Sequence, residues 1–196
     1  MRLAAEPWFP SIVWNTTLDE IDNEELERYC LQLRSDSEGR KRSNSSKSFQ
    51  SHPIPFNANK ELDKLGRLIT ELVNEASESV CMGRLGIANL WVNVNENGGF
   101  NYPHNHPGSI LSGVYYVKAE PGQGGFRIDR GDDAYYYLPK KVSSPTFFNM
   151  TNWIYPSETG KLILFPGWLK HSVLENETNE SRISISFNTV EMNNDN

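Results

Sequence analysis

Two textures divide the chain. From residue 85 onward, apolar and polar positions alternate in short runs (GIANLWVNVN, SILSGVYYVK, FRID, YYYL, TGKLILFPGW, RISISFN), separated by stretches rich in Gly, Asn, Asp or Pro. A period of two is that of a strand with one buried face, and short strands between turn residues predict an antiparallel sandwich or barrel instead of βαβ units. Before residue 85 the period lengthens. Leu18, Ile21, Leu26, Tyr29 and Leu33, with a Thr cap and acidic first turns, predict a helix over residues 22–34. Leu62, Leu65, Leu68, Ile69, Leu72 and Val73 form one stripe in KELDKLGRLITELVNEASESV, a second helix with a single face for a sheet. SIVW at 11–14 predicts a short strand, and the serine-rich, charged stretch 35–52 predicts a surface loop with Arg40–Arg42 in solvent.

Length and charge narrow the picture. With 196 residues, 37% apolar, one domain is expected: residues 1–84 as helical support, 85–190 as a jelly-roll core and 191–196 as a polar tail. The net charge of −6 argues against a nucleic-acid partner. No run approaches the roughly 20 apolar residues of a membrane span. Cys30 and Cys81 form neither a CxxC motif nor a disulfide framework. A cytoplasmic location is therefore expected, and a homodimer is left open.

The candidate chemistry lies in YPHNHPGS. In an extended chain, His104 and His106 point the same way, and His171 follows the apolar strand Lys161 to Phe165 and the turn PGW. Imidazoles suit iron, zinc, copper and nickel, and two or three of them leave coordination positions open for water, oxygen or substrate. A pair of histidines at a strand end is also an ordinary hydrogen-bonded surface feature, so the neighbouring strands carry the argument. RISISFN sets Arg182, Ser184, Ser186 and Asn188 on one face against Ile183, Ile185 and Phe187 on the other. A buried arginine needs an anion, and no acid in that strand provides one. A guanidinium fork flanked by hydroxyls suits a small diacid. Ser112, Val114, Tyr116 and Lys118 share one face of SILSGVYYVK, and Trp91, Asn93 and Asn95 one face of LWVNVN.

PHNHPGS, LSGVYYV, GKLILFPGWLKH and RISISFN, in that order, resemble the iron(II)- and 2-oxoglutarate-dependent oxygenases, within the 2OG-Fe(II) oxygenase group that carries HxHP…LSGVYYV. The resemblance covers residues 85–190, and FPSIVW with the first helix is similar as well. It implies a mainly β fold: a double-stranded β-helix, a jelly roll or cupin-like barrel, flanked by two or more N-terminal helices. It also implies Fe(II), the cosubstrate 2-oxoglutarate, O2, and hydroxylation of a protein side chain such as a prolyl residue or of a small metabolite. By position, His104 and His171 would be the proximal and distal metal ligands, with His171 on the strand opposite. Arg182 would hold the far carboxylate of 2-oxoglutarate, Ser184 would lie beside it, and Tyr116 and Ser112 would contribute from the facing strand.

The chain departs from the family at the middle ligand, where HxD or HxE is usual and HxH stands here. Three arrangements are open: His106 as a third neutral ligand, a water in its place, or an acid such as Asp129 swinging in. His106 is the expected one. The loop 35–52 and the region Tyr135–Trp153 are candidate lids. Two rival functions are a cupin-like three-histidine enzyme that does not use 2-oxoglutarate, against which Arg182 argues, and a binding module whose AYYYLP and TFFNMTNW surfaces face a partner.

Overall fold

The structure, a computed structural model, describes residues 3, 4, 6–138 and 141–192; the side chains of residues 134 and 135 and most of the expected polar tail lie outside that description. Among the described residues the strands are β1 (Trp14–Thr17), β2 (Ser48–Gln50), β3 (Leu85–Asn95), β4 (Asn101–His104), β5 (Leu111–Lys118), β6 (Gly125–Asp129), β7 (Asn152–Pro156), β8 (Lys161–Pro166), β9 (His171–Val173) and β10 (Arg182–Glu191), with helices α1 (Asn23–Asp36) and α2 (Lys60–Ser79). They form two antiparallel sheets, a larger one ordered β1-β8-β5-β10-β3-β2 and a smaller one ordered β4-β9-β6-β7. This is the expected mainly β jelly roll with N-terminal helices.

The alternation in the strands becomes a division between two cores. Ile183, Ile185 and Phe187 of β10, Tyr115 and Val117 of β5, and Leu162 and Leu164 of β8 face the helices and pack with Leu26, Cys30, Leu62, Leu65, Ile69 and Val73. The alternate positions Val114, Tyr116, Ile163 and Phe165 turn inward, toward Phe126 of the smaller sheet. One side of the larger sheet thus supplies most of the apolar burial that drives folding. The other side is free to carry polar groups. Gly113 sits where Phe187 crosses β5: a Cβ there would stand 2.8 Å from a Phe187 ring carbon and 2.9 Å from Leu164.

Several local expectations change. The first strand lies at Trp14–Thr17 and not at 11–14, because it pairs residue by residue with Lys161–Leu164. The cap of α1 is Asp22, whose carboxylate accepts from the Glu25 N–H at 3.0 Å, not a threonine. YYYL lies in and just after a 3₁₀ turn, Asp133–Tyr137. Stretch 35–52 is more than a surface loop. It contains β2, it bridges Asn44 to Asn101, and the Arg40 N–H donates to the Gln50 carbonyl at 2.8 Å. Lys118 leaves the inward face: a register shift between Ile183 and Ser184 turns it to the helix side, where it bonds Glu27 of α1 at 3.0 Å.

Candidate metal centre and cosubstrate pocket

His104 closes β4 and His171 opens β9, and the two are cross-strand partners within the smaller sheet. They therefore stand side by side, His171 on the strand paired opposite His104. His106 lies just past the end of β4, where its N–H donates to the Gly167 carbonyl at 2.7 Å. From there its ring leans toward the larger sheet, 5.9 Å from Trp91 and 6.0 Å from Phe165. It is this ring that spans the two walls. The ring centroids are 4.3 Å (His104–His171), 5.0 Å (His106–His171) and 5.2 Å (His104–His106) apart. One nitrogen from each lies within 4.8 Å of the others, and among the described residues no acid joins the group. Asp129 is held elsewhere, accepting from Arg127 Nε at 2.9 Å.

Each Nδ1 faces an oxygen: the Tyr102 carbonyl at 2.7 Å for His104, the Leu169 carbonyl at 2.8 Å for His171 and Asn188 Oδ1 at 2.5 Å for His106. An acceptor at that distance requires a proton on Nδ1 and leaves Nε2 with its lone pair, the form that binds a metal. Burial also keeps the rings uncharged. It pushes His171 down to about 3, with the nearby His104 adding to the effect, and His106 down to about 4. His104 is lowered for the same reason. Three neutral imidazoles around one point form a cation site.

Arg182 is 1% exposed. Its Nη1 donates to the carbonyls of Gln123 and Leu174, the latter at 3.0 Å, while Nε and Nη2 are buried without a partner. Gly124, at φ +75°, makes the turn possible, since a Cβ there would lie 2.5 Å from the Leu174 carbonyl oxygen. The Tyr116 hydroxyl, fully buried and also unpartnered, is close enough to Arg182 for the guanidinium to lower its pKa against the rise caused by burial. Ser184 is the cross-strand partner of Tyr116 on one side and Asn93 on the other. The cavity between the sheets is lined by Tyr116, Ser184, Ser186, Asn93, Trp91 and the three histidines. Two guanidinium nitrogens and the Tyr116 hydroxyl are thus buried without a hydrogen-bond partner at this end of the larger sheet.

The other expected residues divide. Ser112 is fully buried and sits away from Arg182, donating to Asn188 Oδ1 at 2.8 Å; it supports the His106 end of the site. Asn95 is occupied with Ser48 at 2.8 Å. Arg40, expected in solvent, has its guanidinium 5.7 Å over the Trp91 ring and its Nε buried without a partner. Sequence reasoning gave no role to Ser43, whose hydroxyl is 3.4 Å from His104 Nε2, or to Asn188. For Asn188 the signal was present, because it continues the inward face of RISISFN; for Ser43 there was none.

The family described as "Putative 2OG-Fe(II) oxygenase" matches residues 89–188. The epimerase SnoN of nogalamycin biosynthesis, described as non-heme and alpha-ketoglutarate dependent, superposes with a TM-score of 0.69 at 17% identity, covering 91% of this chain and 76% of its own. A Pseudomonas putida prolyl-4-hydroxylase superposes at 0.66 and 13% identity, covering 92% and 93%. The viral collagen prolyl hydroxylase of Paramecium Bursaria Chlorella virus-1, in its 2OG complex, superposes at 0.62 and 14% identity, covering 92% and 96%. No curated protein matches the sequence.

Proposed function

Since the chain belongs to the 2OG-Fe(II) oxygenase family, we propose that it is a hydroxylase whose iron(II) is held by His104, His106 and His171 and whose 2-oxoglutarate is held by Arg182, Ser184 and Tyr116. The carrying observation is the pair of unpartnered guanidinium nitrogens on a fully buried Arg182. A cation is not kept there for stability, because a desolvated, uncompensated charge costs several kcal/mol, on the order given for buried ions. It is kept for an anion that arrives later.

Iron(II), when bound with 2-oxoglutarate, supplies the oxidation: one atom of O2 enters succinate as CO2 is lost, and the other enters a C–H bond of the substrate as hydroxyl. The chain's own residues bind and orient. Arg182 offers Nε and Nη2 to the far carboxylate of the diacid, with the hydroxyls of Tyr116 and Ser184 beside it as neutral donors. Trp91, Phe126 and Phe165 exclude water from the inner wall, which strengthens every polar contact made there. With three neutral ligands, the site carries one more positive charge than a two-histidine, one-carboxylate site. That favours a dianionic cosubstrate.

The substrate is a protein side chain such as a prolyl residue, supported by the fold shared with two prolyl hydroxylases, or a small metabolite. The chain works as one domain; of the candidate lids, stretch 35–52 is tied into the larger sheet through β2 and brings the Ser43 hydroxyl to the metal centre, and the region 135–153 includes residues 139 and 140, which lie outside the described residues. The test is optical: anaerobic Fe(II) and 2-oxoglutarate together give a weak visible band that neither gives alone. A folded protein that binds iron but shows no band on addition of 2-oxoglutarate refutes the cosubstrate role. Succinate release across a panel of peptides and metabolites then identifies the substrate.

A further inference from the structure

The chain uses a histidine where its family usually has a carboxylate, and the structure contains a device that suits that position. We infer that Asn188 is a positioning residue for His106, holding the imidazole proton on Nδ1 so that Nε2 is presented to the metal; the inference rests on the proposed three-histidine centre.

His104 and His171 have Nδ1 fixed by main-chain carbonyls two residues earlier, Tyr102 and Leu169. Those contacts come with the local backbone and need no particular side chain. His106 has no such carbonyl and lies beyond the strand end, so it depends on a side chain from the facing sheet, Asn188 Oδ1 at 2.5 Å. The oxygen is held in place from several directions. Asn188 Nδ2 donates to Asn89 Oδ1 at 3.2 Å, and the Ser112 hydroxyl donates to Asn188 Oδ1 at 2.8 Å. The following residue, Thr189, is fully buried and exchanges two hydrogen bonds of 2.9 Å with the main chain of Leu111. A register shift between Asn188 and Thr189 marks this place in β10.

The electrostatics follow. Were the proton on Nε2, the Nδ1 lone pair would face the Oδ1 lone pairs at 2.5 Å, a repulsive contact that the Ser112 and Asn89 bonds hinder from relaxing. Asparagine is also a neutral acceptor. It fixes the tautomer without placing a carboxylate beside the ligand, so it preserves the extra positive charge of a three-imidazole site.

The test has three readouts. In the wild-type, metal-free protein, 15N NMR of the imidazoles should show His106 protonated on Nδ1; a His106 protonated on Nε2 overturns the inference, and this measurement needs no variant to fold. Anaerobic titration with Co(II) should show Asn188→Leu binding about 10- to 100-fold more weakly, the range for loss of a ligand's orienting partner, with an altered d–d spectrum. Asn188→Asp, which keeps the acceptor, should restore both, a rescue that a purely structural role would not produce. Asn188→Leu should add nothing in a His106→Ala background, and an equal effect there overturns the inference. If His106→Ala itself leaves Co(II) affinity unchanged, the three-histidine centre fails. If His106→Ala weakens binding and Asn188→Leu binds like wild type, only the role of Asn188 fails.

Discussion

Replacing Arg182 with methionine should separate folding from cosubstrate binding, because the two draw on different nitrogens of one side chain. Nη1 serves the protein, donating to the Gln123 and Leu174 carbonyls, while Nε and Nη2 have no hydrogen-bond partner and are the nitrogens proposed to take the diacid. Methionine fills similar length without charge. Removing the donor leaves two carbonyls short, at about 1–3 kcal/mol each, but it also relieves the desolvation of a side chain that is 1% exposed, a term of several kcal/mol in the opposite sense. The net change in metal-free stability should stay within about 2 kcal/mol, a Tm shift of less than about 8 °C for a chain of this size. Affinity should move far more. Losing a buried charge partner costs about 2–5 kcal/mol, or roughly 30- to several-thousand-fold in Kd. Wild-type protein loaded with Mn(II) should gain about 2.7 kcal/mol at 2-oxoglutarate one hundred times its Kd, raising Tm by about 5–11 °C. The variant at the same concentrations should gain at most about 0.9 kcal/mol, a rise of no more than about 3 °C. Calorimetry and thermal melts measure both halves. A variant that retains its 2-oxoglutarate Kd within a factor of two, or one whose metal-free fold loses more than about 4 kcal/mol, would show that the guanidinium is structural.

Other outcomes follow from other parts of the molecule. Gly113→Ala should lower stability by about 1–3 kcal/mol, the usual range for overpacking, because the added methyl meets Phe187 and Leu164; an unchanged urea midpoint would contradict the packing described. The Cys30 thiol is pushed up to about 12, by burial first and by Glu27 second. The unfolded thiol releases its proton near 9, so stability from this group is complete below pH 9 and falls at about 1.4 kcal/mol per pH unit above it. Cys30→Ala should flatten that alkaline loss in urea titrations between pH 9 and 10, and a parallel loss in the variant would reject the assignment. Folded protein should be alkylated by iodoacetamide at exposed Cys81 and not at Cys30, as read by peptide mass analysis. Chelation should abolish 2-oxoglutarate turnover while far-UV circular dichroism persists, since the helix-side core shares no residue with the histidine cluster; global unfolding on chelation would make the ion structural.

What the sequence made legible was whatever period and spacing encode. The stripe of α2 and the alternation of RISISFN gave a helix, a strand and its two faces correctly, because hydrophobic burial acts on every second or every third and fourth position. The same rule failed at Lys118, where one shifted residue turned an inward position to the helix side. It failed for Ser112 in a different way. The face was right, but the hydroxyl's partner is decided by which residue of β10 lies opposite, and that is Asn188. Strand β2 was hidden because three residues within a serine-rich stretch carry no periodic signal, and only pairing with Asn93, Val94 and Asn95 makes them a strand. The histidines were found as a group, while their arrangement was not. HxH spacing does not reveal that the chain leaves β4 at His104, so that the second ring reaches the facing sheet.

That geometry explains why stability and chemistry can coexist on one sheet. Along β10 the helix-facing residues Ile183, Ile185 and Phe187 are fully buried in the main core. The alternate residues Arg182, Ser184 and Asn188 carry a guanidinium with two unpaired nitrogens, a pocket hydroxyl and the acceptor for His106. A pleated strand gives these two sets opposite directions at no added length. The apolar set provides the free energy that lets Arg182 remain desolvated with Nε and Nη2 unpaired. On the proposed reading, the two unpartnered nitrogens of Arg182 make this wall a receptor for an anion. Under the proposed function, three neutral ligands leave the positive charge of iron(II) unreduced, and a dianionic cosubstrate offsets it.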